Sequence, residues 1–135
     1  FALASEQPER YTEAKNAYLT LKNRMSASPE LRLESLYKLG RCEEKMGFAT
    51  EAFVQYMQGV YHYINAGLVP TEANTTWLSR AAFSAAKIQE NLGNRAEAIS
   101  VYDRLLALDI PASAEAARRR QLLMHASERE VSESE

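Results

Sequence analysis

Apolar residues recur along this chain at three- and four-residue steps, in blocks separated by glycine and proline, and that step is the period of one helix face. Tyr11, Ala14, Ala17, Tyr18 and Leu21 form the first block, with Lys15, Asn16, Lys22 and Asn23 on the other side. Ser5 to Gln7 ahead of Pro8 reads as a helix boundary, since proline is tolerated in a first turn; Phe1 to Ala4 is then the remnant of an earlier helix. Met25 to Pro29 interrupts the pattern, with Ser28 placed as an N-cap and Pro29 just inside a new helix. That helix carries Leu33, Leu36, Leu39, Gly40 and Met46 and stops at Gly47, a residue suited to a left-handed C-terminal position. Thr50 is positioned to cap the next helix, which bears Ala52, Phe53, Tyr56, Val60 and Tyr63 and ends near Ala66 and Gly67. A connection of about four residues forces the two helices antiparallel.

Leu68 to Thr71 is the clearest interruption. A helix follows that starts poorly with Asn74, Thr75 and Thr76, continues through Trp77, Leu78, Ala82, Ala85 and Ala86, and ends at Gly93. Its partner shows Ala98, Ile99, Tyr102, Leu105 and Leu106 and stops before Pro111, because proline disfavours helical geometry in the residue ahead of it. Ala112 to Ser127 is rich in helix formers and fits a terminal capping helix with one apolar and one wet face. Glu128 to Glu135 is acidic and serine-bearing and reads as a frayed tail. The expected organisation is one domain over 1–127, made of a half repeat (1–26), two repeats (29–66 and 71–110) and a cap (112–127), followed by the tail at 128–135.

The hairpins are copies of one another. Aligning Glu13-Ala14, Glu51-Ala52 and Glu97-Ala98 puts Tyr18, Tyr56 and Tyr102 in register, at offsets of 38 and 46 residues. Leu36, Leu39, Gly40, Cys42 and Gly47 then match Ala82, Ala85, Ala86, Ile88 and Gly93, so small residues recur where helices must cross closely. Leu39-Gly40, Ala52 and Tyr56, with Ala98, Tyr102 and Pro111, resemble the tetratricopeptide repeat, over about residues 1 to 111. Leu36 and Ala82 stand where that family often has Trp, Glu43 and Gln89 where it often has Tyr, and the offsets exceed its usual ~34 residues. The longer helices, and Pro-Glu-Leu-Arg ahead of Leu-Tyr-Lys-Leu-Gly, are similar to repeat domains of bacterial envelope proteins such as outer-membrane assembly lipoproteins and periplasmic cell-division coordinators. The resemblance implies an all-α fold, a right-handed solenoid of antiparallel helix hairpins, and a protein-binding role in either the periplasm or the cytoplasm.

Composition agrees with a helical domain: 46% of residues are apolar, and five glycines with four prolines are too few for a loop-rich scaffold. Sixteen basic against eighteen acidic residues leave a net charge of -2, which favours neither nucleic acid nor an anionic membrane as partner. No apolar run approaches the ~20 residues of a bilayer span. The chain starts at Phe1 rather than Met and is expected to be a piece of a longer protein.

Few residues of this chain could carry reaction chemistry. Cys42 is the only cysteine, which rules out an internal disulfide; aligned with Ile88, it reads as a buried structural thiol, with a reactive thiol as the alternative. His62, near Tyr61 and Tyr63, reads as a helix-end residue rather than a base or ligand. No phosphate loop, metal-spaced histidine pair or calcium loop occurs, so no catalytic, cofactor or metal residues are assigned. Arg118 to Arg120 read as a solvated face, with nucleic acid or acidic lipid as the rival, and adjacent Glu43 and Glu44 point different ways. Tyr61, Tyr63 and Trp77 flank the Pro70 interruption and suggest one aromatic cluster that packs the long loop, with a second partner surface as the alternative.

In the family this chain resembles, the first helix of each hairpin lines a concave groove. Its non-core positions match one for one: Glu34, Tyr37, Arg41 and Glu44 against Arg80, Phe83, Lys87 and Glu90. Steps of four and three between aromatic, base and acid put all three on one helix face. An aromatic beside a cation suits a peptide carrying an apolar anchor and a carboxylate. The rival reading makes Arg41 with Glu44, and Lys87 with Glu90, plain intrahelical pairs. A non-enzymatic adaptor that binds a protein or peptide in this groove is the leading expectation; packing on other repeats of its own chain, or on a second copy, is the alternative.

Overall fold

The computed structural model describes residues 12–17, 19, 20 and 29–134. The readings at Phe1 to Tyr11, Tyr18, Leu21 and Ser28 lie outside the described residues. Five helices follow one another: α1 (Pro29–Lys45), α2 (Ala49–Ala66), α3 (Glu72–Asn91), α4 (Arg95–Leu106) and α5 (Ser113–Ser134). Residues 12–17, 19 and 20 are helical as well, and no strand occurs among the described residues. The fold is all-α. Each helix packs on its neighbours in the chain, and α1 also touches α3.

Both hairpin turns are built alike. Gly47 (φ 87°) and Gly93 (φ 80°) take the left-handed conformation that residues with a Cβ rarely adopt. The amide of Gly47 donates to the Glu44 carbonyl and that of Phe48 to the Glu43 carbonyl; Gly93 and Asn94 repeat this on Glu90 and Gln89. This double bond pattern satisfies the last free carbonyls of α1 and α3 and turns the chain back at once. Phe48, not Thr50, stands at the N-cap of α2, because the turn delivers the chain into the helix two residues earlier than a Thr50 cap requires.

The start of α3 is better made than its Asn74-Thr75-Thr76 run suggests. The Thr71 hydroxyl accepts from the Asn74 amide at 3.1 Å, an N-cap bond. Thr75, Thr76 and Ser79 turn their hydroxyls back on helix carbonyls at 2.9, 2.7 and 2.6 Å, so none competes for other partners. At the other end, α5 runs through Ser134, where a frayed tail after Ser127 was expected. No glycine or proline lies between Ser113 and Ser134, and the glutamates and arginines there are good helix formers, so nothing ends the helix earlier.

The core runs along the stack. Tyr56, Val60, Leu78, Tyr102 and Leu105 are wholly buried in one cluster with Ala52, Ala81, Ala82, Ala85, Ala86 and Ala98. Four alanines on α3 let α2 and α4 approach it from both sides, and burying about this much apolar surface is what holds hairpins that lack a core of their own. Cys42 is buried with Leu36 and Leu39, and burial pushes its thiol up to about 11, which keeps it protonated at neutral pH.

Candidate functional site

The faces of α1 and α3 that carry the two matched columns lie side by side, because those helices touch. The structure divides the eight residues into two ends. Arg41 and Glu44 from α1 meet Phe83, Lys87 and Glu90 from α3 in one cleft of about 530 Å³, and α5 closes it with Arg118 and Arg119. Glu34, Tyr37 and Arg80 gather instead around Trp77.

In the cleft, both carboxylates are occupied from behind. The Tyr56 hydroxyl donates to Glu44 and the Tyr102 hydroxyl to Glu90, each at 2.7 Å. Burial, then the adjacent Glu90 carboxylate, pushes the Tyr102 hydroxyl up to about 12, and burial followed by Glu44 moves Tyr56 further in the same direction. Both tyrosines therefore stay protonated and donate. Each bond joins the end of one helix to the middle of the next, twelve residues on, so Glu44 and Glu90 lock their hairpins as well as lining the cleft.

The cations divide in a similar way. Arg118 and Arg119 both grip Glu115, at 2.6 and 2.8 Å, and their hydrogen bonds hold that carboxyl down at about 2. Arg119 also lies 4.5 Å above the Phe83 ring, a cation–π contact that fixes the cleft wall. Phe83 itself packs on Tyr102, centroids 6.1 Å apart. Arg41 and Lys87 have no ion pair among the described residues. The four cations are set against Glu44, Glu90 and Glu115, and Arg41 and Lys87 are the two left outside an ion pair among the described residues.

At the other end Glu34 pairs with Lys38 at 3.1 Å. Tyr37 is half-buried between Tyr56 and Trp77, its centroid 5.8 and 5.7 Å from theirs. Lys38 and Arg80 lie 5.5 and 5.3 Å from the Trp77 ring. Tyr61 and Tyr63 do not join this group: Tyr63 is buried in the core, and Tyr61 is exposed beneath Arg104 at 4.9 Å, so the three aromatics are not one cluster. His62 donates from Nε2 to the Pro29 carbonyl at 3.0 Å, a bond that ties α2 to the first residue of α1.

Arg118 and Arg119, 61% and 39% exposed along their side chains, lie on the solvated face expected of them, and the same face also walls the cleft. The signal for that wall was local: Glu115 lies three and four residues ahead, the spacing that gathers arginine side chains onto one carboxylate. The Tyr–Glu bonds had a signal too, since Glu44 to Tyr56 and Glu90 to Tyr102 share one spacing. Among the described residues no cluster of three or more His, Cys, Asp or Glu is arranged to hold a metal, and no helix is long and apolar enough to cross a membrane. Compared with known proteins, the chain matches no family model, no curated protein and no solved structure.

Proposed function

We propose that this chain is a tetratricopeptide-like segment of a right-handed helical solenoid, a non-enzymatic module that binds a peptide segment of a partner protein across α1, α3 and α5. One observation carries the reading: Arg41 and Lys87, at matched positions of two copied hairpins, share a cleft with Phe83 and are not paired with protein carboxylates among the described residues. Surface cations are commonly left to water, so what singles these two out is their matched placement in one cleft beside an aromatic ring. The rigid ring and the two cations offer contact area and charge to a carboxylate-bearing segment.

The direct test is affinity capture with the parent protein and with Arg41→Ala plus Lys87→Ala, two side chains outside the core whose loss leaves the stack intact. Partners retained by the parent are expected to be lost or weakened at least tenfold in the double variant. Equal capture by both proteins would remove the groove from consideration. Tyr37→Ala is a poor choice here, because Tyr37 packs on Tyr56 and Trp77 and its removal would also disturb the fold.

A structural reading has its own support in α5, where Leu122 and Met124 are 52% and 39% exposed. On that reading α5 docks on a further repeat or a second copy, and sedimentation of the parent against Leu122→Glu tests it: a larger species that disappears in the variant supports self-association.

A further inference from the structure

A pocket of about 450 Å³ lies where the start of α1, the connection from α2 to α3 and the first turns of α3 meet. Leu31, Val69 and Trp77 give it apolar walls, and Glu30, Glu34 and Asn74 line it as well. Asn74 sets the chemistry. It is 1% exposed; its Nδ2 donates to the Val69 carbonyl at 2.9 Å, while its Oδ1 is buried with no hydrogen-bond partner among the described residues. The Nδ2 bond fixes the amide, so Oδ1 cannot turn away to a partner elsewhere. A buried acceptor held in this way is a cost to the fold that a bound donor recovers.

Charge narrows the choice of donor. Lys38 already balances Glu34 at 3.1 Å, whereas Glu30 is exposed and has no ion pair among the described residues. Lys38 and Arg80 lie over the indole, so Trp77 contributes apolar contact and is not called on for a further cation. We infer that this pocket takes a primary alkylammonium group, its N–H donors directed to Asn74 Oδ1 and the Glu30 carboxylate and its stem laid against Leu31, Val69 and Trp77. An ammonium is a compact head with three donors, able to meet a recessed acceptor and a carboxylate from one position, where a guanidinium presents a broad planar fork. A carboxylate ligand would set acceptor against acceptor, and a purely aliphatic one would leave Oδ1 unmet. A lysine side chain of a polypeptide and a free aliphatic amine offer the same chemistry. The inference stands apart from the peptide cleft, since it uses neither Arg41, Lys87 nor α5.

Trp77 is the only tryptophan and lines the pocket, so its emission reports occupancy, and the side-chain NH2 signal of Asn74 in an NMR spectrum reports on the amide itself. The probes are n-butylammonium, lysine capped as its N-acetyl methylamide, and the trimethylated counterpart of each, which keeps the charge and the stem and loses every ammonium N–H. Both ammonium probes are expected to change the two signals saturably, and the trimethylated ones to bind about tenfold more weakly for want of a hydrogen bond from a charged donor. Glu30→Gln, at an exposed position, should weaken both ammonium probes about threefold and leave the circular dichroism unchanged. Tighter binding of capped lysine than of butylammonium assigns the pocket to a polypeptide lysine, and equal binding assigns it to free amines. Trimethylated probes that bind as well as their parents overturn the inference, as does the absence of any saturable change with all four.

Discussion

Two glycines show how much one atom decides here. A Cβ on Gly40 would sit 2.5 and 2.7 Å from ring carbons of Tyr56, a buried ring that its bond to Glu44 holds in place. On Gly59 the nearest atoms would be 3.6 to 3.8 Å away, ordinary contact. Gly40→Ala should therefore cost about 2–3 kcal/mol by overpacking, and Gly59→Ala should gain up to ~1 kcal/mol from the better helix propensity of alanine. Urea unfolding midpoints that move the same way in both variants would contradict the packing described.

Glu43 is the other residue whose setting makes a measurable claim. It is 3% exposed, its Oε2 has no hydrogen-bond partner among the described residues, and burial raises its carboxyl above the usual range, with Lys15 at 3.6 Å opposing the effect. Between the ordinary value and the raised one the folded state binds more protons than the unfolded chain, so Glu43 removes stability as pH rises through that window. Gln89 occupies the matching position of the second hairpin without a charge. Glu43→Gln should match the parent near pH 4 and exceed it at pH 8, because the charge it removes is the buried one while Lys15, 29% exposed along its side chain, can return to water. Urea midpoints at the two pH values check this, and a variant weaker than the parent at pH 8 would show that the ion pair outweighs the burial.

Among the elements, helix crossings are where substitution is least tolerated. Ala98 is fully buried where α4 meets α3, while its neighbour Glu97 is exposed. Ala98→Arg must place a charge and a long side chain in that crossing and should cost about 3 kcal/mol or more, whereas Glu97→Arg should stay within about 0.5 kcal/mol. A thermal midpoint unchanged by Ala98→Arg would sink the assignment. The helix boundaries were legible because Pro29, Gly47, Gly67, Gly93 and Pro111 each act locally, through a fixed φ or a left-handed one. The start of α2 was misplaced by two residues because its entry is governed by the turn's backbone bonds, and the end of α5 because no local signal stops it. Placement of the candidate site was legible as far as one face of α1 and one of α3. Its closure by Arg119, and the use of Glu44 and Glu90 as hairpin ties, depend on which helices meet in space, and a helical period carries no information about that.

At the scale of the whole molecule, the copied hairpins share more than their outline. Each carries the same backbone turn and the same tyrosine-to-glutamate bond, fastenings that lie within the hairpin although its core is shared with the neighbour. The amides should consequently exchange with deuterium in two cooperative blocks, α1 with α2 and α3 with α4, rather than as one unit that opens globally. Tyr56→Phe should speed exchange through the first block and leave the second near its parent rate, and Tyr102→Phe should do the reverse. A ligand that drew Glu90 away from Tyr102 would act as that second substitution does, loosening one block alone and registering its arrival as a local gain in deuterium uptake.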